Sequence, residues 1–179
     1  MIKESGIIFD ALDPEAVDMP YGTISGAGVI FGVTGGVTEA VLRRVAESKS
    51  RTSLLTVATF GQRGKEGIKE FDVEFGDSKL HIAVANGLKN AETVIKRLKA
   101  GEKFDLIEVM ACPGGCVNGG GQPFTRIPGK DKRAKGLYEA DKLLSIRSSD
   151  ENPVIQSLYK NGLAEKAHEL LHVHYGKHE

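Results

Sequence analysis

Several features are scarce or missing in this 179-residue chain. It has no tryptophan and only two cysteines, and its 24 basic residues are balanced by 24 acidic ones, so its formal net charge is zero. Without a basic field, overall charge does not favour binding to nucleic acid or to an anionic membrane surface. No apolar run is long enough to span a membrane, and Met1–Gly6 lacks the hydrophobic core of an export signal. We therefore expect a reducing, cytoplasmic location, or a periplasmic one only if a partner carries an export signal.

Glycine is abundant, at 22 residues, and strand-like segments alternate with helix-like ones. Residues 67–75 alternate apolar and charged side chains and 80–86 form the next apolar run, which together predict a hairpin at the edge of a sheet. A helix is predicted from a cap at Asn90 to Gly101, followed by a strand over 105–110. Strand, helix and strand in that order predict a βαβ unit, whose two strands are parallel and whose crossover is right-handed.

A glycine-rich turn, Gly32–Gly36, separates a predicted short strand over Val29–Phe31 from a predicted helix. Thr34 is expected to cap that helix. Its inward face is expected to be apolar and its opposite face charged: Val37, Ala40, Val41 and Val45 against Arg43, Arg44 and Glu47. A helix that starts on a glycine turn can bind an anion. The nucleotide-binding patterns G-x-G-x-x-G and G-x-x-x-x-G-K-[ST] are both missing here, however. The alternative is a tight turn that serves only packing.

The predicted fold class is α/β, with a twisted sheet of parallel central strands flanked by helices over residues 1–134. A short helical tail is predicted over 135–179. The basic stretch Arg126 to Lys135 is interpreted as a solvated linker between the two, and it lacks the interleaved aromatic residues that stack on bases. In the tail, Asn152-Pro153 predicts the start of a helix and Gly162 its end.

The tail also contains the pattern H-E-x-x-H, at His168–His172. Two histidines four residues apart share one face of a helix and can bind zinc, with Glu169 as the base of a peptidase. Such a site needs a third ligand, and only His174 and His178 follow. The sequence therefore favours a short docking helix in which Leu170-Leu171 makes core contacts.

Both cysteines lie in the glycine-rich run from Glu108 to Pro123, directly after the predicted strand. In open α/β sheets, ligands bind at the loops that follow the carboxyl ends of strands. Gly114 and Gly115, between Cys112 and Cys116, allow the backbone to approach a bulky group and to point N–H groups at it. The pair could form a disulfide, although so short a loop closes awkwardly, or a catalytic thiol pair, which more often has C-x-x-C spacing. It could also ligate an iron–sulfur cluster, although a cubane cluster needs four ligands and this chain offers two thiolates.

The run from Glu108 to Pro123 resembles the third cluster-binding motif of the [FeFe]-hydrogenases, which interconvert protons and dihydrogen. Residues 26–43 are similar to the glycine-rich loop and helix that precede this motif in the family, and residues 133–153 and 170–175 are similar to its small-subunit tail. The two earlier cysteine motifs, which supply the other two cluster ligands in the family, do not occur here. The chain thus resembles the C-terminal part of the catalytic domain. Its first 18 residues, interpreted as the end of a helix and an acidic loop, are expected to be internal to a longer chain.

The resemblance implies that Cys112 ligates the [4Fe-4S] subcluster, and that Cys116 ligates it and bridges to the di-iron subcluster of the H-cluster. Met110 is expected near the di-iron end, with Phe31 and Val37 as apolar wall residues that exclude water. The implied activity is that of an iron hydrogenase. It is expected to require a protein chain bearing the remaining cluster cysteines and an electron carrier such as ferredoxin. The alternative is a non-catalytic assembly or sensory module, in which two copies share one [4Fe-4S] cluster.

Overall fold

The computed structural model describes residues 1–16, 18, 22, 24–49, 67–75, 77–123 and 129–172. Residues 52–60, which the sequence pattern predicts as ordinary core, lie outside these ranges, as do His174 and His178. In chain order the regular elements are α1 (Gly26–Ile30), α2 (Gly36–Lys49), β1 (Ile68–Phe75), β2 (Ser78–Asn86), α3 (Leu88–Lys99), β3 (Leu106–Met110), α4 (Lys130–Leu143), α5 (Pro153–Ser157) and α6 (Ala167–Leu171). No helix among the described residues is long and apolar enough to cross a membrane.

The three strands form one mixed sheet in the order β1-β2-β3, flanked by helices, which confirms the α/β class. β1 and β2 pair antiparallel, so the predicted hairpin is confirmed. β2 and β3 pair parallel, from Ile82 opposite Leu106 to Asn86 opposite Met110, with α3 between them in the chain. The βαβ prediction is therefore confirmed. Within the described ranges β3 is an edge strand of this sheet.

Helices cover both faces of the sheet because alternate residues of β2 point to opposite sides. On one face Ile82 packs with Val73 and with Leu42 of α2. On the other, two alanines of β2 pack under two residues of α3: Ala83 and Ala85 against Ala91 and Val94. This double coverage explains why residues 82–85 of β2 are all apolar and completely buried.

Residues 29–31 are the end of a short helix and not a strand. The Ser25 hydroxyl accepts a hydrogen bond from the Gly28 N–H at 3.2 Å and caps α1. Ile30 is fully buried and packs with Val33 and Val117. Three apolar residues are too few to show the periodicity of a helix or of a strand. The feature of the sequence that favours a helix is the capping residue Ser25.

The helix predicted after the glycine turn is confirmed as α2, but its inward face was assigned wrongly. Val41 is 40% exposed, whereas Glu39 and Arg43 are completely buried. The Arg43 guanidinium contacts Glu39 at 2.7 Å and binds both carboxylate oxygens of Asp141, in α4, at 2.8 Å each. Charged residues therefore occupy the centre of the buried face, which the rule of apolar residues inside cannot anticipate.

Asp141 is the centre of this buried ion network. Arg147 also binds its carboxylate, through Nε at 2.9 Å and Nη2 at 2.8 Å. Burial on its own would raise the pKa of Asp141, but the hydrogen bonds from Arg43 and Arg147 hold that pKa below the ordinary value. The network joins α2 to the C-terminal helices and stays ionised at neutral pH.

Helix α3 begins earlier than predicted. Gly87, with φ 94°, precedes its first residue, and the Asn90 side chain lies inside the first turn, where it donates to the Asn86 carbonyl at 2.7 Å. The prediction that Asn90 is the cap is therefore wrong. Gly101, with φ 97°, follows the last turn, so the predicted end of the helix is confirmed.

The C-terminal helices differ from the predicted tail in three places. Helix α4 starts at Lys130, so the second half of the predicted linker is helical. Asn152 caps α5 and Pro153 is its first residue, as predicted, but the chain continues through Gly162 as a π-helical turn, Leu158–Leu163. Leu170 and Leu171 are 61% and 52% exposed, so they make no core contacts with the part of the chain that the structure describes, contrary to expectation.

The first 16 residues are exposed throughout. The expected helix end is only a turn, in which the Ser5 N–H donates to the Met1 carbonyl at 2.9 Å. A short 3-10 turn, Phe9–Ala11, follows it.

Candidate functional site

Three backbone segments meet at the carboxyl ends of the parallel strands β2 and β3. They are the end of β2 at Asn86, the glycine turn (Gly32–Gly36) and the residues after β3, which we call the cysteine loop (Ala111–Gly121). The Gly87 N–H donates to the Met110 carbonyl at 2.7 Å and so fixes the end of β2 against the start of the cysteine loop. The pattern of the sequence predicts a ligand site at this edge of the sheet.

Backbone hydrogen bonds dock the glycine turn on the cysteine loop. The Val117 N–H donates to the Gly32 carbonyl at 3.1 Å, and the Thr34 N–H donates to the Gly114 carbonyl at 3.4 Å. A Cβ added to Gly115, which has φ +92°, would lie 2.6 Å from the Gly32 carbonyl oxygen. Glycine at 115 is therefore required both by its conformation and by the closeness of the two segments.

Cys112 and Cys116 are both free and exposed, so the disulfide interpretation is wrong. Cys116 opens a short 3-10 turn, Cys116–Asn118. A Cβ at Gly119 would lie 3.3 Å from the Cys112 sulfur, so the glycine leaves space beside that atom. Two accessible thiols with glycine around them are suitable ligands for a soft metal or a cluster.

The N–H groups of the two intervening glycines already have acceptors within the chain. The Gly114 N–H donates to Asn86 Oδ1 at 2.7 Å, and the Gly115 N–H donates to the Cys112 carbonyl at 2.8 Å. In this structure both N–H groups therefore hold the shape of the cysteine loop instead of pointing outward.

Glu108 is a buried carboxylate that sequence reasoning missed. It lies in β3, is 6% exposed, and accepts hydrogen bonds from the Gly35 N–H at 2.6 Å and the Thr38 N–H at 2.7 Å. These N–H groups belong to the start of α2, which needs external acceptors and favours negative charge. Glu108 therefore caps α2, and the expectation that Thr34 does so is wrong.

Asn86 is the second buried polar residue that sequence reasoning missed. It is 8% exposed, and its Oδ1 accepts from Thr34 Oγ1 at 3.2 Å as well as from the Gly114 N–H. One side chain thus links β2, the glycine turn and the cysteine loop. The only signal in the sequence was an asparagine at the end of an apolar strand, followed by glycine.

The structure places the other predicted site residues around these segments. Met110 is the last residue of β3 and is half-buried. Phe31 follows α1 and is 45% exposed, and Val37 is a half-buried residue in the first turn of α2. Phe31 and Val37 therefore flank the glycine turn that docks on the cysteine loop.

A cavity of about 370 Å³ lies beside the cysteine loop, between the glycine turn and α4. Val33 and Val117 lie on its apolar side, while Lys135 and Glu139 lie at its charged rim. Helix α4 is held there because the Arg133 Nε donates to the Val117 carbonyl at 2.5 Å.

Two other groups of potential metal ligands lie away from the cysteine loop. Glu70, His81 and Glu102 approach within 4.8 Å of one another, but Arg97 binds both carboxylates, and its hydrogen bonds lower the pKa of each. His168 and His172 of the H-E-x-x-H pattern bring their Nδ1 atoms to 2.7 Å on an exposed turn. No third ligand joins them within the described residues. Neither group is a convincing metal site.

Two protein-family descriptions match the sequence of this chain. The iron only hydrogenase large subunit, C-terminal domain, matches residues 1–120, and the iron hydrogenase small subunit matches residues 129–178.

Individual relatives agree with the family matches. The NADP-reducing hydrogenase subunit HndD of Solidesulfovibrio fructosivorans is 44% identical over 100% of this chain and 32% of its own length. Cytosolic iron-sulfur assembly component 3 of Bos taurus is 32% identical over 98% of this chain and 38% of its own length. A solved variant of the [FeFe]-hydrogenase HydA1 from Chlamydomonas reinhardtii superposes with a TM-score of 0.68 at 39% identity, over 97% of this chain and 52% of that one. The chain thus spans about a third of the length of these curated relatives and about half of the solved chain.

Proposed function

The chain belongs to the iron-only hydrogenase family, and from that membership we propose that it supplies half of a hydrogenase H-cluster site. The observation that carries the proposal is the pair of free, exposed thiols on a glycine-rich loop at the carboxyl ends of parallel strands. When bound, the [4Fe-4S] cluster and its di-iron subcluster would supply the electron-transfer and bond-making chemistry that reversibly reduces protons to dihydrogen.

The residues present fit one half of such a cluster. Cys112 and Cys116, as thiolates, would ligate the cubane, and Cys116 would also bridge to the di-iron subcluster. Gly119 leaves the space that a cluster needs beside the Cys112 sulfur. Two thiolates leave two ligand positions for another polypeptide segment.

Met110, Phe31 and Val37 would contribute to the wall on the di-iron side. Their role is to exclude water and to hold the loops, since none carries a group that transfers a proton. Phe31 is still 45% exposed here, so a complete wall needs further protein over this face. We propose that the part of the site on residues 1–134 is braced by the tail, 135–179, through Asp141.

The protein that completes the site would carry the remaining cluster cysteines, and an electron-carrier protein such as ferredoxin would exchange electrons with the assembled centre. We propose a cytoplasmic setting for this assembly. This chain alone is then inactive.

The test uses the full chain, alone and mixed with a polypeptide that carries the family's other two cysteine motifs. After anaerobic reconstitution, iron, sulfide and hydrogen evolution are measured for wild type, Cys112→Ser and Cys116→Ser. We expect a cluster and hydrogen evolution only in the wild-type mixture. A wild-type mixture without iron, or serine variants that keep the full cluster, would contradict the proposal.

A second function is supported by a specific observation: an iron-sulfur assembly component is 32% identical over 98% of this chain. In that role two copies would share a [4Fe-4S] cluster through the two exposed thiols of each, without catalysis. Native mass measurement distinguishes the two. A cluster bound by a dimer of this chain, with no hydrogen evolution in any mixture, favours the assembly or sensory role.

A further inference from the structure

Asn86 lies at the junction of all three segments that form the candidate site. It ends β2 opposite Met110, and its side chain is almost completely buried. Its Oδ1 receives the Gly114 N–H at 2.7 Å and the Thr34 hydroxyl at 3.2 Å.

The two ends of the cysteine loop are held by different contacts. Beyond Cys116, the Val117 N–H is bound directly to the glycine turn at 3.1 Å. On the Cys112 side, the backbone contact from Thr34 to Gly114 is long, at 3.4 Å. Shorter bonds there include the one from the Gly114 N–H to Asn86, at 2.7 Å, and one within the cysteine loop, from Asn118 Nδ2 to the Pro113 carbonyl at 2.9 Å. Of these two, only the bond to Asn86 connects the loop to another segment. The position of Cys112 relative to the glycine turn therefore depends on Asn86 more than the position of Cys116 does.

We propose that Asn86 is a positioning residue, whose carbonyl oxygen fixes the Cys112 side of the cysteine loop for ligation. The link to cluster ligation rests on the proposed function, but the effect of Asn86 on the cysteine loop can be tested without metal. The Gly114 N–H is half-buried, and leaving such a group without an acceptor costs free energy, so we expect the loop to open locally when the acceptor is removed.

The experiment compares variants of the full, metal-free chain. Asn86→Leu and the smaller Asn86→Ala remove the acceptor, while Asn86→Asp keeps a carboxylate oxygen in its place. Asn90→Ala is the matched control, because that side chain bonds to the Asn86 backbone carbonyl without touching the cysteine loop. Mass spectrometry measures the alkylation rate of each thiol, and hydrogen exchange measures the protection of the Gly114 amide.

We expect Asn86→Leu and Asn86→Ala to increase exchange at Gly114 on the order of tenfold, and to change the Cys112 alkylation rate more than that of Cys116. Asn86→Asp should restore both values, and Asn90→Ala should leave the ratio of the two thiol rates unchanged even where it lowers the melting temperature. The positioning role is overturned if neither acceptor-removing variant changes exchange or the rate ratio, if Asp does not restore them, or if Asn90→Ala changes the ratio equally.

Iron binding separates failure of this inference from failure of the proposed function. If the wild-type mixture binds no iron but the thiol ratio changes as expected, the proposed function is wrong and the positioning role holds. If the wild-type mixture binds iron and the acceptor-removing variants match wild type in every measurement, the positioning role is wrong and the proposed function holds.

Discussion

Replacing Asp141 by asparagine should destabilise the fold far more than breaking an exposed ion pair that also joins α2 to the C-terminal region. The Asp141 carboxylate is 1% exposed and receives four hydrogen bonds, two from Arg43 and two from Arg147. Asparagine offers one acceptor oxygen and no charge. Arg43 would keep Glu39, at 2.7 Å, as its remaining buried counter-charge.

The expected loss follows from the burial of both partners. Removing one partner of a buried ion pair costs about 3–5 kcal/mol, because the other charge stays desolvated. Glu39 still neutralises Arg43, and the Arg147 side chain is 23% exposed, so we expect the lower end, about 3 kcal/mol. For a chain of 179 residues, this corresponds to a fall in melting temperature of about 6–12 °C.

Urea unfolding followed by circular dichroism measures the effect, with Arg44→Gln as the control. Arg44 pairs with Asp150 at 2.9 Å and links α2 to the same C-terminal region, but the two side chains are 61% and 40% exposed. Such a surface pair is worth about 1 kcal/mol or less. If Asp141→Asn costs no more than Arg44→Gln, the buried network does not hold the helices together.

Three other predictions concern the same framework. Glu108→Gln should lower the free energy of unfolding by about 1–3 kcal/mol in urea titrations. Glutamine has a single acceptor oxygen and no charge, so one of the two N–H groups at the start of α2 loses its acceptor and the other loses a charged one. An unchanged free energy of unfolding would show that Glu108 is not the cap. Gly115→Ala should disrupt docking of the cysteine loop, because the new Cβ would lie 2.6 Å from the Gly32 carbonyl oxygen. The control Gly120→Ala should melt like wild type, because a Cβ there meets no atom within 4 Å. Equal melting curves for the two variants would contradict this prediction. The pKa of Asp141 is lowered in the folded state. The stabilisation by its carboxylate is therefore fully present above the ordinary aspartate pKa and is lost as the pH falls through the folded-state pKa. The free energy of unfolding should accordingly fall less steeply in acid for Asp141→Asn than for wild type.

The sheet was predictable because its patterns are local. The alternation over 67–75, the apolar run after it and the glycine that ends α3 each contain their own signal, and the order strand-helix-strand then requires parallel pairing. The family was predictable for a related reason, since cysteines spaced C-x-x-x-C among glycines in Glu108–Pro123 form a specific local motif.

The errors arose where a side chain acts over a long distance in sequence. Arg43 was assigned to the outer face of α2 because its partner, Asp141, is 98 residues away. Glu108 gave no sign that it caps α2, because it binds amides 70 and 73 residues earlier in the chain. Buried polar residues of this kind are recognised only when the segments that they join are already in place.

The central claim is that Cys112 and Cys116 are half of a cluster site, and the most direct measurement is the number of irons bound by the full chain together with a polypeptide that carries the other two cysteine motifs. The account predicts about six irons, about four in the cubane and about two in the di-iron subcluster, with the cluster lost when both Cys112 and Cys116 are replaced by serine. A mixture that binds the same iron with and without these two thiols, or that binds zinc in place of iron, would contradict it.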